Sequence, residues 1–168
     1  MKLPFKSISA LIDYDATSPM DSGEFDDNLW ILLCKKIGSP KDLEAFRHPV
    51  AVYYASRLLE WEVGNGGFAQ AVYNIPDWFE YAAIGYAALG KRKAVQLIRD
   101  ALALLKGERE DLKEKRLLDG TTIGELFAHF SESRMIELDK RIPEDEWWID
   151  DERIEYVRKN KDAFREVQ

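Results

Sequence analysis

Glu60-Trp61-Glu62-Val63-Gly64-Asn65-Gly66-Gly67-Phe68-Ala69-Gln70 is the stretch on which the reading of this chain turns. Three glycines and an asparagine in succession favour left-handed or otherwise unusual backbone, so a helix must break there. Upstream, residues 49 to about 63 carry Val50, Tyr53, Tyr54, Leu58 and Trp61 at helical spacing, with Pro49 at a first helical position. Downstream, Phe68 to Tyr73 reads as a short helix stopped by Asn74-Ile75-Pro76. The structural reading of Asn65, Gly66, Gly67 and Phe68 is a tight corner, with Asn65 bonding local backbone and Phe68 seeding the second helix. The functional reading is a nest of N–H groups that holds a carboxylate or phosphate. Glu60 and Glu62 beside it argue against anions, and the structural reading is preferred.

The same helical grammar extends outward from the corner. Asp77 caps a helix from Trp78 to Leu89, whose Ala82, Ala83, Gly85 and Ala87 would let a neighbour approach closely. Gly90 ends it, and residues 91–106 place Ala94, Leu97, Ile98, Ala101, Leu104 and Leu105 on one face. A charged stretch to Gly120 has weak anchors for a helix at 108–117. Thr121 or Thr122 caps a helix carrying Ile123, Leu126, Phe127 and Phe130. Pro143 stops the turns that follow, and a last helix runs from about Asp151 to Val167. Towards the N-terminus, Ser39-Pro40 opens a short helix, and Phe25, Leu29, Leu32, Leu33 and Ile37 form the stripe of a longer one. Residues 1–22, with Pro4, Pro19 and a Ser/Asp/Gly cluster, read as an irregular arm. No alternating run suggests a strand. The expectation is an all-α chain of about seven to nine helices, with a single domain over residues 23–168.

Bulk properties narrow the classes of function. With 168 residues and a hydrophobic fraction of 46%, the chain suits one globular domain. Its apolar runs are short and broken by charges, so no membrane span is expected. Residues 1–6 lack the apolar stretch of a secretory signal, and the lone Cys34 cannot form an internal disulfide. These features suit a cytoplasmic protein. The net charge of −7 is unevenly spread. Residues 13–27 hold six acids and no base, and residues 139–155 hold eight acids against three bases. Residues 91–118 between them carry nine bases against five acids. Acidic blocks repel nucleic acid and attract a basic protein, although such runs also serve simply to keep a helical domain hydrated.

Chemistry is harder to find. Gly85-Tyr86-Ala87-Ala88-Leu89-Gly90-Lys91 matches the opening of a phosphate-binding loop, but Arg92 stands where Ser or Thr must hold magnesium, and no strand precedes it. Glu44 and His48, like Glu125 and His129, stand four apart rather than at the three-residue spacing of di-metal carboxylate bundles. Both histidines are therefore read as surface or capping residues. Cys34, among Leu32, Leu33 and Ile37, reads as an inert packed thiol. No catalytic, cofactor or metal site is expected.

Glu62-Val63-Gly64-Asn65-Gly66-Gly67-Phe68, with Gln70, Tyr73 and Asn74, resembles the signature core of a bacterial family best known for a DNA-mimic protein of Neisseria. The similarity continues through the Ala/Gly-rich helix and the Ala101–Leu105 segment to Glu137-Leu138-Asp139 and the acidic C-terminal part. The resemblance implies an all-helical, dimeric protein whose acidic face imitates duplex DNA and occupies a DNA-binding protein. Carboxylates three or four apart on a helix recur every ~5–6 Å and can engage a surface built to neutralise phosphates. The residues expected to carry this contact are Asp26, Asp27, Glu144, Asp145, Glu146, Trp147, Asp150, Asp151 and Glu152. Trp147 would be an anchor inside a charged rim. A basic or DNA-binding protein is the expected partner, with no direct contact to nucleic acid or membrane. The alternative is an immunity-type inhibitor or adaptor that blocks a basic protein.

Overall fold

A computed structural model describes residues 5–167, and every regular element among them is helical. Tertiary contacts divide the chain into two compact units, one comprising residues up to Tyr54 together with those from Ile149, the other Ala55–Trp148.

The first unit begins with α1, Ile8–Thr17, capped by Ser7, whose hydroxyl accepts from the Ala10 N–H. Residues 8–17 were expected to be irregular, yet Ile8, Leu11 and Ile12 recur at helical spacing and are buried. The first four residues of that expected arm lie outside the described chain. Helix α2, Ser22–Cys34, is capped by Asp21 and buries Phe25, Leu29, Leu32 and Leu33. A 3-10 turn over Pro40–Ala45 follows, and α3, His48–Asn74, starts in this unit. The unit closes with α9, Asp150–Lys159, and α10, Lys161–Arg165. Helix α2 packs against both α1 and α9, and α10 packs against α1. Tyr53 of α3 meets Phe164 edge to face at 6.0 Å in the core of this unit. Cys34, expected to be packed, is exposed at the end of α2, 3.9 Å from the Tyr54 hydroxyl.

The second unit is built around α4, Phe79–Ala88, and α5, Arg92–Glu114, which make its most extensive helix pairing. Small side chains permit it, since Ala82 and Gly85 are buried on α4, as are Ala94 and Ala101 on α5. Gly90 adopts φ 77° and the Lys91 N–H donates to the Tyr86 carbonyl, a left-handed helix stop. The glycines that matched a phosphate loop are thus a packed helical residue and a C-terminal cap. Helix α5 continues to Glu114 through the charged stretch, anchored by buried Leu112. The short α7, Ile136–Asp139, and α8, Glu144–Trp147, pack on α5. Helix α6, Ile123–Glu132, starts in a capping box of Thr122 and Glu125. Three hydrogen bonds from Thr121 and Thr122 hold the Glu125 carboxyl down to about 2. Part of the α6 apolar stripe is open to solvent: Ile123 and Phe127 are 73% and 64% exposed.

Candidate functional site

The corner sits inside α3, where helical geometry fails at two residues only, Gly66 (φ −166°, ψ 24°) and Gly67 (φ 75°, ψ −177°). Gly66 is extended and open to other residues, whereas Gly67 lies in the region that favours glycine. A Cβ on Gly67 would stand 2.4 Å from Asp139 Oδ2, and the Phe68 N–H donates to Asp139 Oδ1 at 2.8 Å. The anion received by this corner is therefore the chain's own α7 carboxylate. Burial pushes the Asp139 carboxyl above the usual aspartate range, against the opposing effect of the Phe68 N–H. A second link crosses the kink, because Gln70 Nε2 and Asn74 Nδ2 both donate to Glu62 Oε2, at 3.3 and 2.8 Å. Glu62, Gln70 and Asn74 thus tie the two arms of α3 together. Phe68 is fully buried, with Trp147 and Phe79 at ring distances of 5.4 and 6.3 Å.

Many carboxylates of the two acidic blocks have partners within their own unit. Asp26 is buried and accepts from the Tyr53 hydroxyl at 2.8 Å, which removes it from the expected contact surface. Asp15, also buried, receives a fork from Arg158 Nε and a second guanidinium nitrogen, both at 2.9 Å. Burial would raise its carboxyl, but the Arg158 and Met20 hydrogen bonds outweigh that and hold it low. Asp150 pairs with the fully buried Arg153 at 2.8 Å. In the second unit, Asp145 pairs with Lys93 at 2.6 Å, and Glu146 accepts from the Lys93 and Ala94 N–H groups at the start of α5. Trp147 is also withdrawn from the expected surface: it is fully buried and stacks on Tyr86 at 5.2 Å. Its neighbour Trp148 is 50% exposed and lies over Gly64 instead.

Exposed acids from both blocks lie on the packed pair α2 and α9. Asp21, Glu24 and Asp27 are exposed at successive three-residue steps along α2, and Asp150, Asp151, Glu152 and Glu155 are exposed on α9. Arg158 connects them electrostatically. Its hydrogen bonds to Asp15 raise its proton affinity first, followed by the charges of Asp151 from one block and Asp21 from the other. Glu24 and Asp27 have no ion pair among the described residues, while Glu155 is paired with Lys159. Glu144 is exposed in the second unit.

A family model for DMP19-like proteins matches residues 44–160, a span that holds the kinked α3, the Asp139 latch and all of α9. The chain belongs to the DMP19-like protein family. This is the family of the Neisseria DNA-mimic protein that the corner residues resemble. No curated protein and no solved structure matches the chain. The DMP19-like match leaves out α1 and α2, so Asp27 and its neighbours on α2 lie beyond the shared part.

Other features of this DMP19-like chain escaped the sequence reading. A groove of about 240 Å³ opens beside α6, lined by Tyr73, Leu126, Phe127 and Phe130 among others. The amphipathic pattern located α6 without telling which side it presents. His129, expected at the surface or in a cap, is 5% exposed and faces Glu108 and Asp111 of α5. Its partners lie in the charged stretch, so the four-residue spacing to Glu125 was the wrong pairing. No helix among the described residues is long and apolar enough to cross a membrane.

Proposed function

We propose that this chain is a non-catalytic protein-binding member of its family that occupies a basic, DNA-binding protein through the acidic α2/α9 surface. The observation that carries this reading is the convergence of two sequence-distant acidic blocks on one helix pair, with Asp21 and Asp151 both acting on Arg158. Asp27, Asp151 and Glu152 form the core of the proposed contact, with Asp150, which pairs with Arg153, beside them. Glu144 and Asp145 belong to the second unit and are not counted in this surface. Exposed carboxylates at helical spacing accelerate encounter with a Lys/Arg surface, and their effect weakens as salt screens it.

The test uses a basic DNA-binding protein captured from the source cells with the full chain as bait. The triple variant Asp27→Lys, Asp151→Lys, Glu152→Lys is expected to associate at least about tenfold more slowly at low salt and with a flatter salt dependence. The pair Glu144→Lys, Asp145→Lys should have the smaller effect. Association and salt slope equal to those of the parent in the triple variant would overturn the assignment of this surface.

A further inference from the structure

Glu108 and Asp111 lie one turn apart on α5, and His129 approaches them from α6, so that one ligand atom from each falls within 4.8 Å of the others. Two of the three are inside the protein, with Glu108 6% and His129 5% exposed. The buried His129 Nδ1 faces Asp111 Oδ2 at 3.5 Å and has no hydrogen-bond partner among the described residues. A buried polar atom left in this way is uncommon and marks a position where another ligand would be favourable. The Ser133 hydroxyl donates to Glu108 Oε1 and itself accepts from the Met135 N–H, which fixes the carboxylate in place. Metal-binding carboxylates are oriented by outer hydrogen bonds of this kind. Asp111 is half-buried at the rim and leaves a way in from solvent.

We propose that Glu108, Asp111 and His129 form a binding site for a divalent first-row transition metal ion, with zinc as the reference ion. Two carboxylates neutralise the charge of the ion, which permits its partial burial. The imidazole selects against magnesium and calcium, which prefer oxygen ligands throughout. Three protein ligands and one water complete a tetrahedral zinc shell. With bonds of about 2.0–2.2 Å, the ligand atoms of such a shell stand roughly 3.4 Å apart, so closing the site requires only small side-chain rotations. Lys115 is the resident competitor. Its ammonium lies 3.1 Å from Asp111 Oδ2 and also feels Glu132 and Glu108. Metal entry displaces that ammonium into solvent, which its exposed side chain allows.

The experiment is equilibrium dialysis of the full chain against zinc chloride, with cobalt(II) as a spectroscopic substitute. The parent is expected to take up one zinc ion per chain, and cobalt to show the strong visible bands of a tetrahedral site. Asp111→Asn at the rim should weaken zinc binding at least about tenfold and remove those bands while the far-UV circular dichroism stays unchanged. His129→Gln should do the same to zinc, and Lys115→Ala should tighten binding by removing the competitor. Uptake below one equivalent, or zinc affinity unchanged in Asp111→Asn, would overturn the proposal and leave Lys115 as the only cation of the cluster.

Discussion

Gly67 and Asp139 act as one unit, although 72 positions separate them. The positive φ of Gly67 turns the Phe68 N–H towards the α7 carboxylate, and the missing Cβ leaves room for it. Gly67→Ala should therefore lower stability by about 1–3 kcal/mol in a urea titration, from backbone strain and the displaced carboxylate. Gly66→Ala should be milder, because its backbone is extended and the Cβ would meet the flexible end of Gln70 first. Equal losses in the two variants would contradict this account of the corner. Asp139 adds a pH signature. Its folded carboxyl keeps its proton to higher pH than in the unfolded chain, so ionisation works against folding. Its contribution is full below the ordinary aspartate value of about 3.9 and declines as pH rises through the raised native value. Relative to Asp139→Asn, the parent should therefore lose stability as pH rises from the ordinary aspartate value of about 3.9 through the raised native one. A constant difference across that window would show that the latch has no such burial effect. The break at Gly64–Gly67 was legible in the sequence because glycine runs have few structural uses. The partner was not, since nothing local ties Asp139 to residue 68.

At the scale of elements, sequence spacing located helices better than it oriented them. The stripes of α2 and of the first part of α5 were plain because large apolar residues recur at three and four. Helix α1 has the same spacing in Ile8, Leu11 and Ile12, but Pro19 and the polar cluster beside it drew the reading towards a loop. The end of α5 was obscured by its charges, with Leu112 as one of few anchors. Adjacent tryptophans pose the sharpest case, because a one-residue step at the end of α8 sends Trp147 inward and Trp148 outward. Trp147→Ala should cost roughly 3–5 kcal/mol by emptying the space against Phe68 and Tyr86. Trp148→Ala should cost under about 1 kcal/mol, as for most surface positions. Denaturant titrations of the two variants check this directly, and a larger loss at Trp148 would invert the assignment. His129 illustrates the opposite failure, since its neighbours come from another helix and no spacing rule within α6 could find them.

For the whole molecule, the count of acids overstates the negative surface and their placement restores part of it. Asp15, Asp26 and Asp139 are taken up by internal partners, and Glu146 caps α5. The acids that stay exposed on α2 and α9 come from both ends of the sequence, which composition indicated only as two separate blocks. A protein that occupies a DNA-binding surface must exclude DNA from it, whereas an inhibitor acting at another surface need not. The most direct measurement is a competition titration of a captured DNA-binding partner, labelled and pre-bound to the full chain, with its own duplex DNA. The account predicts mutual exclusion: duplex releases the chain, and raising the chain concentration shifts the apparent DNA affinity in proportion. A ternary complex of partner, duplex and chain, with DNA affinity unmoved by saturating chain, would contradict it.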